Sequence, residues 1–98
     1  MLVHSVYFWL KRDLDAAQRA AFLAGVETLR GIDCAEAVYI GTPSATARPV
    51  IDRTYDIGLT VVLKDLAAHD AYQVDPLHTK FLAEFGTFWE RAVIYDAD

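Results

Sequence analysis

The sequence predicts an α+β fold, with one antiparallel sheet and its helices gathered on a single face. Three observations carry this. Four segments are rich in β-branched and aromatic residues, other segments repeat apolar residues at helical spacing, and together they run β-α-β-β-α-β. That order is the split βαβ, ferredoxin-like arrangement. No repeat, low-complexity tract or linker interrupts it, so residues 1–98 read as a single domain.

Leu2 to Leu10 opens the chain as a strand. One face carries Leu2, His4, Val6, Phe8 and Leu10; the other carries Val3, Ser5, Tyr7 and Trp9. Both faces are largely apolar, so both should be covered. Asp13-Leu14-Asp15 then starts a helix that either aspartate can cap, with Leu14, Ala17, Ala21, Phe22, Val26 and Leu29 at helical spacing and Gly31 at its end. Gln18 is the polar break in that stripe, and its amide needs water or a partner. Cys34 to Ile40 reads as the second strand, with Ala35, Ala37 and Tyr39 alternating against Glu36, Val38 and Ile40. Gly41 to Arg53, holding Pro43, Ser44 and Pro49, is a loop.

Tyr55 to Leu63 is the third strand, with Tyr55, Ile57, Leu59, Val61 and Leu63 on one face. A short helix follows from Asp65 to about Gln73. Asp75-Pro76 restarts helix as N-cap and first residue, because Asp accepts from a free N–H and Pro needs no donor there; this helix is predicted to reach about Trp89. Arg91 to Asp96 closes the sheet, Ala92 and Ile94 alternating against Val93 and Tyr95.

Composition excludes several function classes. The net charge of −5, the pI near 5.0 and a longest basic run of only Lys11-Arg12 argue against a nucleic-acid partner. Cys34 is the single cysteine, so no intrachain disulfide forms. The N-terminus lacks the pattern of a signal peptide, and no apolar run approaches the ~20 residues of a membrane span, so a cytoplasmic protein without membrane contact is expected. At 54% hydrophobic the domain is rich for its size. With helices on one sheet face, Val3, Tyr7 and Trp9 are left on the other, and a second copy is the economical cover; a homodimer is expected.

The chemistry-bearing residues concentrate in Tyr72 to His78. His78 falls in the first turn after Asp75-Pro76, where the positive helix end disfavours imidazolium, and a neutral His serves as a base near pH 7. Tyr72 could hydrogen-bond what that base deprotonates. The competing reading gives His78 a bond to backbone or Asp75 that only fixes the helix start. His4, on an apolar strand face, needs a partner, either as a pocket wall or as a satisfied core histidine. His69 reads as a solvated surface residue, and Cys34 as small packing. No His or carboxylate pair has the close spacing of a dedicated metal site, so neither metal nor other cofactor is expected. Phe22, Val26, Leu59, Phe81, Trp89 and Ile94 either fill the core or line a cavity for a small hydrophobic or aromatic ligand, with Phe81 and Trp89 the best wall residues. Arg48 and Arg53 could flank the mouth of such a cavity or simply sit in a solvated loop.

With these residues placed, the chain resembles the stress-responsive dimeric α/β-barrel (Dabb) family along nearly its whole length. The likeness rests on His4-Ser5-Val6-Tyr7-Phe8-Trp9-Leu10-Lys11, on Tyr55 through Leu63, on Leu66 through Phe81 with Tyr72-Gln73-Val74-Asp75-Pro76-Leu77-His78 weightiest, and on Phe88 through Asp96. The resemblance implies a ferredoxin-like protomer pairing into a dimeric barrel. Most members have no assigned activity. In the olivetolic-acid-cyclase-like branch, which closes linear polyketides by intramolecular aldol condensation, a Tyr and a His at the positions of Tyr72 and His78 carry the chemistry, and a His matching His4 borders the pocket. Two positions depart from these patterns: Asp75 stands where many members have His, and Ile57 where that branch has a further pocket His. Related dimeric barrels include cofactor-free monooxygenases. A non-catalytic, stress-associated ligand-binding or structural dimer is the other reading.

Overall fold

A computed structural model describes residues 1–98. Its elements are β1 (Leu2–Leu10), α1 (Ala16–Glu27) tightening into a 3-10 turn (Thr28–Gly31), β2 (Ala35–Gly41), β3 (Ile57–Leu63), α2 (Leu66–Val74), α3 (Pro76–Phe85) and β4 (Trp89–Ala97). The sheet order is β2-β3-β1-β4 and every neighbouring pair is antiparallel, which is the expected ferredoxin-like topology. The body measures 36 × 33 × 17 Å, so the short axis holds one helix layer on one sheet. No helix is long and apolar enough to cross a membrane.

The two faces of β1 separate as the alternation requires. Leu2, His4, Val6, Phe8 and Leu10 are each between 2% and 6% exposed, while Val3, Ser5, Tyr7 and Trp9 remain half-buried. Beneath the helices the first set meets Phe22, Val26, Leu29, Val61, Leu63 and Phe81, all almost fully enclosed.

Local chemistry explains the helix boundaries. Asp15 is the N-cap of α1: its carboxylate accepts from the Gln18 N–H at 2.8 Å, and the Gln18 side chain accepts from the Asp15 N–H at 2.8 Å. The partner that Gln18 needed is therefore its own cap. Ala17 and Ala21, expected on the buried stripe, are exposed; the stripe begins at Phe22 and continues through Gly25 and Val26. A methyl side chain costs little on a wet helix face, so alanine marks a face poorly. Gly25 belongs to the stripe because a Cβ there would stand 2.3 Å from the Phe85 ring, and its absence lets α3 close on α1.

β3, β2 and α3 also depart from the sequence reading. β3 begins at Ile57, two residues late, with the Asp56 carboxylate accepting from the Leu10 N–H at 2.7 Å. In β2 the pairing with β3 shifts between Ala35 and Ala37, leaving Glu36 as an extra residue. Alternation restarts there, so Ala35, Val38 and Ile40 all pack on the core and Tyr39 is 65% exposed. α3 stops at Phe85, where the Gly86 N–H reaches the Leu82 carbonyl at 2.9 Å, and Trp89 opens β4 instead of closing the helix. Helical spacing of Phe81, Phe85 and Phe88 continues past Gly86, but the Phe88 carbonyl accepts from Lys11 and draws the chain to the sheet.

The face away from the helices is aromatic. Tyr7 packs edge-on against Tyr55 at 5.0 Å, and the Arg91 guanidinium lies 4.2 Å over the Trp9 ring. With Asp52, Val93 and Tyr95 these residues line a concavity of about 370 Å³.

Candidate active site

On the opposite side of the sheet, between β1, β4 and α3, lies a cavity of about 220 Å³. Antiparallel register places Val6 beside Ile94 and Phe8 beside Ala92 along its floor. α3 contributes His78, Phe81 and Leu82, and the end of α2 contributes Gln73. The walls are otherwise apolar, so His4, Gln73 and His78 are its polar groups.

His78 is the third residue of α3, behind the Asp75 cap, whose carboxylate accepts from the Leu77 N–H at 2.9 Å. Its Nδ1 lies 3.0 Å from the Gln73 carbonyl oxygen. A carbonyl only accepts, so Nδ1 carries the proton and Nε2 keeps its lone pair. Burial holds the His78 pKa below its ordinary value, with the nearby His4 acting the same way against the Gln73 carbonyl and Asp75. The ring is thus neutral at pH 7. The backbone bond is the one that the helix-fixing reading of His78 names; it anchors the ring by one nitrogen and leaves the other unprotonated.

Tyr72, on α2, is 1% exposed. Its ring centre lies 5.0 Å from that of His78 and 5.6 Å from that of His4, which places it behind both imidazoles and off the cavity wall. Burial, with Cys34 and Asp75 acting in the same direction, pushes the phenol pKa up to about 12, so the hydroxyl stays protonated.

His4 finds its partner across the β1–β4 pair: Nδ1 donates to Asp96 Oδ1 at 2.5 Å. Asp96 lies 92 residues away, a separation at which no spacing rule operates. His69 departs from its expected place in solvent. Its side chain is 17% exposed and packs edge-on against His4 at 5.3 Å, with Nε2 3.6 Å from Asp96 Oδ2.

Of the expected apolar wall, Leu59, Phe81, Trp89 and Ile94 line the cavity together with His4. Phe22, Val26 and Ile57 do not: the first two are fully buried and Ile57 is 5% exposed, all within the core. Gln73, Leu82 and Ala92 are wall residues that sequence patterning missed, because they face the cavity through the helix break at Asp75 and the register of β4. Arg48 and Arg53 lie in the exposed 42–56 segment and do not border the cavity. Cys34 is half-buried with its thiol 3.5 Å from the Ala68 carbonyl, a packing position.

The family model described as the stress responsive A/B barrel domain matches residues 2–98. Among solved structures, a dimeric ferredoxin-like protein of unknown function from Thermobifida fusca superposes with a TM-score of 0.79 at 18% identity, covering 98% of this chain and 88% of that one. A Dabb family protein from Mesorhizobium loti gives 0.79 at 23% identity, over 99% and 94% of the two chains. The hydroxynitrile lyase from Passiflora edulis gives 0.79 at 20% identity, over 98% and 90%. At these identities the likeness establishes the fold. No curated protein matches the chain in sequence.

Proposed function

The chain belongs to the stress-responsive A/B barrel family, and on that premise we propose that it is an acid/base enzyme for a small hydrophobic carbonyl compound, working without an organic cofactor. One observation carries the reading: His78 lines an apolar cavity with Nδ1 committed to the Gln73 carbonyl, hence with Nε2 free to accept a proton. His78 removes a proton from the carbon beside the carbonyl; the C–H bond breaks, an N–H bond forms, and the electron pair moves to the carbonyl oxygen as an enolate. Reprotonation at another carbon gives an isomer. Attack of the enolate on a second carbonyl of the same molecule gives a cyclase of the aldol type. Tyr72 is the partner through its ring, which seats the imidazole from behind.

The cavity is smaller than the ~300 Å³ at which drug-sized pockets begin. A substrate of one ring fits; a longer, polyketide-like chain would extend over β4, where Ile94 is 54% exposed. That a fold neighbour is a hydroxynitrile lyase supports an enzyme on this scaffold. The chain acts as a homodimer in this reading, joined through the aromatic sheet face, and solved neighbours described as dimeric support it. The cavity lies on the other side of the sheet and stays open.

The test is deuterium exchange at the α-carbon of small aryl alkyl ketones and arylacetaldehydes in D2O, followed by proton NMR. Wild type is expected to catalyse exchange; His78→Ala loses it with the fold intact, and Tyr72→Phe, which keeps the ring behind His78, retains it. Wild-type exchange no faster than that of His78→Ala would leave a non-catalytic, ligand-holding dimer.

A further inference from the structure

We infer that His4, His69 and Asp96 form a binding site for one divalent transition-metal ion at the edge of the cavity. Three elements far apart in sequence converge here: β1 supplies His4, α2 supplies His69 and β4 supplies Asp96. One ligand atom from each, two imidazole nitrogens and a carboxylate oxygen, lies within 4.8 Å of the other two. Ligand atoms about 2.1 Å from a central ion stand roughly 3.4 Å apart in tetrahedral geometry, so small side-chain rotations complete the site. The His69 Nε2 to Asp96 Oδ2 distance of 3.6 Å is already close to that spacing.

The surroundings prepare His69 as a ligand. Its Nδ1 lies 3.2 Å from the Asp70 carboxylate, which accepts the Nδ1 proton and leaves Nε2 as the lone pair toward Asp96. A carboxylate behind a metal-bound imidazole is the usual device for fixing the ring and raising its basicity. In the ligand-free chain the Gln73 amide, 3.3 Å away, occupies that lone pair, and the ion displaces it. Two imidazoles and one carboxylate suit zinc and its first-row neighbours and leave a coordination position for water or substrate. Asp96, 41% exposed, provides the way in.

The ion would also change what His4 offers the cavity. Without metal, Nδ1–H donates to Asp96 and Nε2 is an acceptor. With metal on Nδ1, the single proton of the neutral ring moves to Nε2, so that nitrogen becomes a donor.

The experiment titrates chelator-stripped protein with Zn(II) against a chromophoric chelator, and records the visible spectrum of the Co(II)-loaded protein. One equivalent is expected to bind. His69→Ala and Asp96→Asn should each weaken Zn(II) by more than about 100-fold, beyond the range that loss of a merely supporting residue causes. His78→Ala should leave Zn(II) affinity unchanged, which keeps this result separate from loss of proton abstraction. Asp96→Asn preserves shape and hydrogen bonding, so it reads out the ligand set even if His69→Ala perturbs α2. Wild-type affinity no greater than that of the two ligand variants would overturn the site.

Discussion

The two faces of the sheet are built from alternate residues of the same strands, yet they hold different kinds of structure. On the helix side, β1 presents Val6, Phe8 and Leu10 to aromatic rings of α1 and α3, with Phe22 5.2 Å from Phe8 and 5.7 Å from Phe81. On the other side Tyr7, Trp9, Tyr55 and Tyr95 are just as aromatic but surround an open concavity. The first face is filled within one chain; the second leaves Tyr7, Trp9 and Tyr55 only half-buried. A period of two thus gives a single strand two separate duties, one in holding the protomer and one, in the proposed homodimer, in association.

Substitutions on the two faces should therefore separate folding from assembly. The largest effect belongs to Phe22→Ala, which empties a fully buried ring and is expected to cost about 3–5 kcal/mol, read as a fall in the urea midpoint. Trp9→Ala acts on the other face, the proposed dimer interface, where a buried Trp is worth about 2 kcal/mol or more, so the proposed dimer should dissociate some thirty-fold more readily in sedimentation runs. Its circular dichroism should not change; an unfolded Trp9→Ala protomer would break the division between the faces. Asp15→Ala touches neither face. It removes half of the capping box, at about 1 kcal/mol, and should shift thermal melting without altering assembly.

The smallest effect is a slope with pH. Burial lowers the His78 pKa in the folded chain, so as pH falls through 6.5 the unfolded chain takes up this proton first. Stability is therefore lost below pH 6.5 down to the folded value, and His78→Gln should flatten that part of the curve. For the same reason, the acid limb of kcat/KM for the proposed proton abstraction should lie below pH 6.5.

The strands and caps were legible because they depend on local chemistry. β1 is bounded as alternation places it, and Asp15 and Asp75-Pro76 act as the caps that their side chains allow. Misplaced boundaries arise where tertiary contacts outweigh local pattern. Ala17 and Ala21 fit a helical stripe but are too small to need burial, and the pull of β1 through Lys11 takes Phe88 and Trp89 from α3 into the sheet approach. In the site, His4, Tyr72 and His78 were identifiable by residue type, and the structure gathers their rings. Asp96 and His69 were not, because only strand register and the packing of α2 bring them to His4. Phe22 and Val26 show the converse: periodicity finds an apolar face without telling whether that face meets a cavity or a neighbouring side chain.

The extra residue at Glu36 bears on how these molecules avoid one another. β2 and β4 are the outer strands, and each leaves a row of backbone groups without an in-sheet partner. A straight, uncharged margin would template the addition of further chains into a continuous ribbon. β2 is bent by its bulge, with an exposed carboxylate at the bend, and β4 carries Glu90, Arg91 and Asp96 along nine residues. Kink and charge together disfavour growth at the sheet margins, which leaves the aromatic face as the place for the proposed homodimer to form and close.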